Sequence, residues 1–143
     1  MKLSHLYVFL QLGIIATILL HGWFFSDVWY YLAIQIFGIC LVIWSVFEMR
    51  KSKINVSPEL REGAKLIRSG PYRIIRHPMY LATLIFILPL ILDYFTIGRL
   101  ALFTALIITL NLKLTLEEKL LTESFPDYEN YKKSSWRMIP FIY

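Results

Sequence analysis

Residues 28–47 read VWYYLAIQIFGICLVIWSVF, twenty residues with no Asp, Glu, Lys or Arg among them. At about 1.5 Å of rise per residue, a helix of that length crosses the ~30 Å hydrocarbon core of a bilayer. Trp29, Tyr30 and Tyr31 stand at one end of the run and Trp44 near the other, the belt arrangement that places amphipathic rings at both interfaces. The rest of the chain agrees with a membrane setting. Its 143 residues are 57% hydrophobic with a mean hydropathy of +0.58, whereas ordinary globular domains are about 45–50% apolar.

Working outward, residues 5–25, HLYVFLQLGIIATILLHGWFF, form a first span, and Lys2 and Asp27 are the only charges in the first 47 residues. A cleaved leader is disfavoured, because the apolar run is long, its basic flank is one lysine and no small-residue cleavage site follows. Ser26 and Asp27 make the turn into the second span, 28–47. A third apolar segment, 78–92, opens on Pro78, which suits a first helical turn because its missing N–H has no partner there anyway. Being short and containing Pro89, it reads as a kinked or tilted helix. After DYFTIG, residues 99–116 make a fourth span, in a tight helical hairpin with the third. The expectation is an all-α integral membrane domain covering 1–143, with four transmembrane helices. A tail, 117–143, ends in WRMIPFIY, an amphipathic helical finish at the membrane surface.

Charge orients this arrangement. The loop 48–77 carries eight Lys or Arg against three Glu, while the 26–27 turn has no basic residue and the 93–99 turn only Arg99. The positive-inside rule then places the N-terminus, the large loop and the tail together on the cytoplasmic side of a multi-pass protein. The net charge of +5 is assigned to topology and to membrane lipids with anionic head groups, not to nucleic acid. One cysteine, Cys40, excludes an intrachain disulfide and reads as a small buried hydrophobe. His5, His21 and His77 share no metal-ligand spacing, so no metal is expected.

Two polar constellations interrupt the apolar pattern. In SGPYRIIRHPMYLA (69–82), Gly70 and Pro71 make a turn and Pro78 starts a helix, so Tyr72 to His77 are held at a helix entrance. The N–H groups and partial positive charge at such an end favour an anionic group. Arg73 reads as a membrane anchor. His77, clamped before a proline at the membrane boundary, is a poor anchor and a better functional residue. In the second constellation, Lys113 and Glu117 share a helix face at i, i+4, with Glu118 beside them. Tyr128 and Tyr131 follow and are expected to pack the tail.

No Gly-rich dinucleotide turn, P-loop, G-x-S-x-G or H-E-x-x-H occurs. What does occur, in order, is SGPYRIIRHPMYLA, then EEKLLTESFPDYENYKK about thirty-five residues on, then IPF. From about residue 64 onward this resembles the isoprenylcysteine carboxyl methyltransferase family of integral membrane enzymes, whose pattern the phospholipid N-methyltransferases share. The resemblance implies S-adenosylmethionine as methyl donor and S-adenosylhomocysteine as product. Position by position, it makes Leu66, Ile67, Tyr72, His77, Pro78, Met79, Tyr80 and Glu117 cofactor contacts. It puts Lys113 where eukaryotic members use an arginine for substrate. Lysine keeps the charge but loses the two-pronged fork that suits a carboxylate, which argues against a prenylcysteine carboxylate as acceptor. At Ala82 many members carry glycine, and alanine is still small enough for a ligand to approach.

The implied reaction is methyl transfer to a lipophilic or membrane-embedded carboxylate, thiol or amine at the cytoplasmic face, driven by alignment and exclusion of water. His77, Glu118 and Lys113 are the expected catalytic residues. His77 or Glu118 would take a proton if the acceptor needs one removed, and Lys113 would hold the acceptor. Two alternatives stand beside this reading: an NADPH-dependent sterol-reductase-like membrane enzyme, and a non-enzymatic scaffold retaining the fold.

Overall fold

The computed structural model describes residues 3–22, 24–51 and 66–143, so the middle of the 48–77 loop lies outside the described residues. The described chain is helical. It comprises α1 (Leu3–Leu20), α2 (Trp29–Met49), a 3₁₀ turn (Gly70–Arg73), α3 (Pro78–Asp93), α4 (Ile97–Ser124) and α5 (Tyr128–Ser134). Its only β-type pairing among the described residues is an isolated parallel bridge between Ile75 and Trp136.

Three helices, α1, α2 and α4, are long and apolar enough to cross a membrane, while α3 is apolar but has only 16 residues. Phe9 and Leu12 on α1 and Phe37 and Phe47 on α2 point outward and are exposed, as suits lipid-facing surfaces. Cys40 is also exposed, not buried as the sequence suggested. The core gathers Ile18 with Ile87, Leu90 and Ile91 of α3 and Phe103, Leu106, Leu110 and Leu114 of α4.

Several expected boundaries shift, each for a local reason. The first helix stops at Leu20 instead of reaching 25, and a side chain at Gly22 would collide with the Arg99 guanidinium. The fourth runs from Ile97 to Ser124 instead of 99–116. Its Glu117 and Glu118 do not end the helix, because both carboxylates find partners, mostly on the 76–80 segment and the tail. Thr96 caps its start, accepting from the Arg99 N–H at 3.2 Å. Its end comes at Phe125, extended at φ −125° and ψ 109° before Pro126. Helix α3 runs unbroken through Pro89.

The third and fourth helices are joined by the short turn 94–96, yet they are not each other's main partners. Helix α3 packs most extensively on α2, and α4 on α1. Between apolar helices in lipid, close approach and polar bonds replace the hydrophobic drive. The α2–α3 seam shows both. A Cβ at Gly38 would lie 3.1 Å from the Ala82 carbonyl and 3.2 Å from the Phe86 amide. The small size of Ala82, fully buried here, therefore serves helix packing. Gln35, also fully buried, accepts from the Ser26 amide at 2.9 Å and donates to the Phe24 carbonyl at 3.2 Å, tying the α1–α2 connection to the bundle.

The tail is not the amphipathic helix that was expected. Only Tyr128–Ser134 is helical. Beyond it the chain turns back along the 74–77 segment, with the Trp136 amide donating to the Ile74 carbonyl and the Arg76 and His77 amides donating to the carbonyls of Trp136 and Arg137. Met138 is buried by this return.

At the opposite edge of the same region, Gly70 adopts φ +57°, and a Cβ there would sit 2.5 Å from Glu48 Cγ. Glu48 is itself held by the Ser69 hydroxyl and by Lys51 Nζ at 2.7 Å. Gly70→Ala therefore combines left-handed backbone strain with a clash. It is expected to destabilise the protein by about 2 kcal/mol, read as a lowered midpoint in detergent-based unfolding.

Candidate functional site

The two polar constellations meet at one end of the bundle. Pro78 at the first position of α3 fixes His77 as the residue before the helix, and the returning tail holds the His77 amide at 3.1 Å from the Arg137 carbonyl. The imidazole is buried and stacks on Tyr80 with ring centres 5.4 Å apart and planes 2° from parallel. From α4, Glu117 and Glu118 reach the two sides of this ring. Glu118 Oε1 lies 3.3 Å from His77 Nε2, and Glu117 Oε2 lies 3.8 Å from Nδ1.

The two glutamates differ in what surrounds them. Glu118 accepts from Arg76 Nε at 2.8 Å and from Arg137 Nε at 3.1 Å, so each of its oxygens already faces a guanidinium. Arg76 also donates to the carbonyls of Lys132 (3.1 Å) and Ser135, and Arg137 donates to Thr115 Oγ1 at 2.7 Å. Glu118 is thus the hub joining α4 to the loop and the tail. Glu117 is more open. The Tyr80 hydroxyl donates to its Oε1 at 2.5 Å and Lys113 Nζ stands 3.9 Å away, while its Oε2 has, among the described residues, only the more distant His77.

Lys113 is buried, with its ammonium 4.9 Å from the centre of the Tyr80 ring and donating to Gln11 Oε1 of α1 at 3.2 Å. This draws α1 into the site. The sequence reading passed over Gln11, although a lone amide inside an apolar span is the signal that could have found it. Arg137 carried no comparable signal.

The tyrosines form the outer wall. The Tyr131 hydroxyl donates to the Tyr72 carbonyl, and Arg68 donates to the Asp127 carbonyl at 2.9 Å, so the tail is laced to the loop. Burial pushes the Tyr131 hydroxyl up to about 12 and raises Tyr72 and Tyr128 as well. All three hydroxyls therefore stay protonated near neutral pH. Tyr128 is only 1% exposed, and its hydroxyl finds no hydrogen-bond partner among the described residues. A buried orphan of this kind costs about 1–3 kcal/mol and calls for a reason such as a functional role or a bound water or ion.

Of the other expected contacts, Pro78 and Tyr80 are buried in this cluster, Leu66, Ile67 and Met79 are half-buried, and Arg73 is exposed, as an anchor would be. No three His, Cys, Asp or Glu side chains converge on a metal-sized site among the described residues.

A family model described as phospholipid methyltransferase matches residues 12–128. The chain belongs to the phospholipid methyltransferase family. The match runs from α1 to the first residue of α5, well beyond the motifs that begin near residue 64, so the first two helices are part of the family's pattern too. A comparison with individual curated proteins returned no match. Family and apolar helices together make the chain a membrane methyltransferase.

Proposed function

We propose that the protein transfers a methyl group from S-adenosylmethionine to a lipophilic acceptor, with a lipid head group as the leading class, at the cytoplasmic face of its membrane. The observation that carries this reading is the convergence of Glu117 from α4 with His77 and Tyr80 at the start of α3, together with the buried, orphaned hydroxyl of Tyr128 on the tail. The residues present fit the donor. It carries an ammonium, a sulfonium and hydroxyls that suit the open oxygen of Glu117, and acceptor atoms that suit Tyr128. When bound, S-adenosylmethionine supplies a methyl carbon made electrophilic by the sulfonium.

The chain's own residues then bind, orient and exclude. Glu117 holds the cation-bearing part of the donor, fixed in place by the Tyr80 hydroxyl. Tyr72 and Tyr131, clasped by the tail, close the outer wall against water. Lys113, oriented by Gln11, faces the acceptor from the bilayer side and favours a head group with negative charge near the reacting atom. For an amine acceptor His77 is the proton-accepting group, because both oxygens of Glu118 are taken by arginines. Glu118 acts through Arg76, Arg137 and His77 as a positioning residue.

Calorimetry of the detergent-solubilised protein tests the donor. S-adenosylhomocysteine should bind and NADPH should not, and the reverse result would establish the reductase alternative. Incubation with labelled S-adenosylmethionine and lipid extracts tests transfer, since a scaffold would label nothing. Tyr128→Phe separates the orphaned hydroxyl from its packing. Its stability is expected to match or exceed the wild type by up to about 1 kcal/mol, while S-adenosylhomocysteine affinity falls about tenfold, near 1.4 kcal/mol. Unchanged affinity would remove Tyr128 from the site.

A further inference from the structure

The end of the tail is folded in a way that its own packing does not explain. Residues 139–142 form a β-turn, with the Ile142 amide donating to the Ile139 carbonyl at 3.2 Å and Pro140 and Phe141 in the two central places. The Met138 and Ile139 amides both donate to the Tyr143 carbonyl at 2.8 Å, which closes the loop. Phe141 sits at φ +66°, and among the described residues no other non-glycine residue has a positive φ. Gly or Asn normally takes the third place of such a turn, because a larger side chain crowds the backbone there. This strain brings no core contact in return, since Phe141 is 83% exposed and Ile142 77%. The Phe141 ring lies 5.8 Å from that of Trp136, and Trp136, Ile139 and Ile74 are exposed with it. Local strain held in an exposed segment points to a function for the group it presents.

The turn is joined to the lipid-facing surface of α4. The Tyr143 hydroxyl donates to Asn111 Oδ1 at 3.2 Å, and Asn111 stands between the outward-facing Ile108 and Leu112. Six residues of helix put Asn111 about 9 Å farther into the apolar span than Glu117. Residues 130–143 carry Lys132, Lys133 and Arg137 and no acidic residue, which suits phospholipid head groups. So few exposed side chains fall short of the roughly 800 Å² a side that a stable protein partner needs. Phenylalanine, tryptophan and isoleucine beside lysine fit the boundary between head groups and acyl chains. The same segment also reaches the site. Arg137 donates to the Tyr143 hydroxyl and to Glu118, while the carbonyls of Trp136 and Arg137 hold the amides of Arg76 and His77. We propose that the 139–142 turn inserts Phe141 and Ile142 into the head-group boundary of the bilayer and so latches the tail over the site, making closure of the site depend on the membrane.

Position 141 separates turn strain from lipid contact. Phe141→Gly and Phe141→Asn suit the positive φ and remove the apolar ring, whereas Phe141→Leu stays strained and apolar. A role in the turn alone would leave the first two as well folded as the wild type or better. The full chain would be placed in nanodiscs of phosphatidylglycerol and phosphatidylcholine. A nitroxide at Ile142→Cys, in a Cys40→Ala background, reads depth, and it should meet dissolved oxygen and be shielded from a water-soluble nickel chelate. Hydrogen exchange at the Arg76 and His77 amides reads the latch. It should quicken at least tenfold in Phe141→Gly and Phe141→Asn and stay near the wild-type rate in Phe141→Leu. S-adenosylhomocysteine affinity should fall about tenfold in the first two variants, a consequence that rests on the methyl-transfer reading. A label open to the chelate, or exchange in Phe141→Gly no faster than in the wild type, would each overturn the proposal. So would an S-adenosylhomocysteine affinity that Phe141→Gly leaves unmoved in a chain that binds it. If the wild type bound no S-adenosylhomocysteine, the methyl-transfer reading would fall, while depth and exchange would still decide the latch.

Discussion

Glu117→Gln is expected to reduce S-adenosylhomocysteine affinity about 100-fold, because a hydrogen bond to a charged group contributes about 1.5–3 kcal/mol. The substitution keeps the shape. A glutamine carbonyl can still accept from the Tyr80 hydroxyl, so that 2.5 Å contact survives in kind. What disappears is the negative charge that balances Lys113 at 3.9 Å and that, in the proposed function, is set against the donor's cationic groups. Calorimetry would read the affinity, and a thermal melt should stay within a few degrees of the wild type. An affinity unchanged in a folded variant would show that Glu117 only shapes the bundle.

Glu118→Ala should act in the opposite manner, on stability first. The carboxylate is one of the most enclosed charges described, with its side chain 11% exposed against 10% for Arg76 and 20% for Arg137. Removing it leaves two guanidiniums and an imidazole without their shared partner. Breaking a buried pair from one side costs about 3–5 kcal/mol, a large part of a typical stability. Arg137→Ala is expected to cost only about 1 kcal/mol, since Glu118 keeps Arg76 and His77. Unfolding in mixed micelles would measure both. If the two variants proved equally mild, Glu118 would not be the hub that joins helix, loop and tail. The contrast between neighbouring glutamates is the sharpest statement about this site: one is expected to govern binding and the other folding.

Much of the molecule was legible in the sequence because it depends on local pattern. Charge-free runs near 5–25 and 28–47 announce membrane helices whatever they pack against. Pro78 sets the start of α3 by its missing N–H, whereas the capping by Thr96 and the sterics of Pro126 that bracket α4 went unread, and the span was placed at 99–116. The spacing of Lys113 and Glu117 puts them on one face of any helix. The reading erred where a residue's effect depends on a distant partner. Glu117 and Glu118 looked like a helix end because two carboxylates at a membrane boundary normally need water. Here Arg76 and Arg137, forty-two residues before and nineteen after Glu118, supply the counter-charge, and the helix continues.

The tail shows the same division. WRMIPFIY has the composition of a surface helix, but backbone bonds to Ile74, Arg76 and His77 claim it as a strap. No periodicity encodes that choice, because it depends on a 3₁₀ turn and a helix start that only the folded chain brings within reach. Gln11 is similar: its amide is visible in the sequence, while its pairing with Lys113 across 102 positions is not.

By itself, then, the sequence determined a helical membrane protein of a methyltransferase kind and the residue types at its reactive end. Hydrophobic run length, proline sterics and motif order are properties of neighbours along the chain. Only the tertiary structure decided which glutamate is open and which is enclosed, that α3 leans on α2 and α4 on α1, and that the tail turns back along the 74–77 segment. Each of those depends on charges and close contacts between segments far apart in sequence, where the cost of an unpaired polar group in an apolar surrounding selects the arrangement.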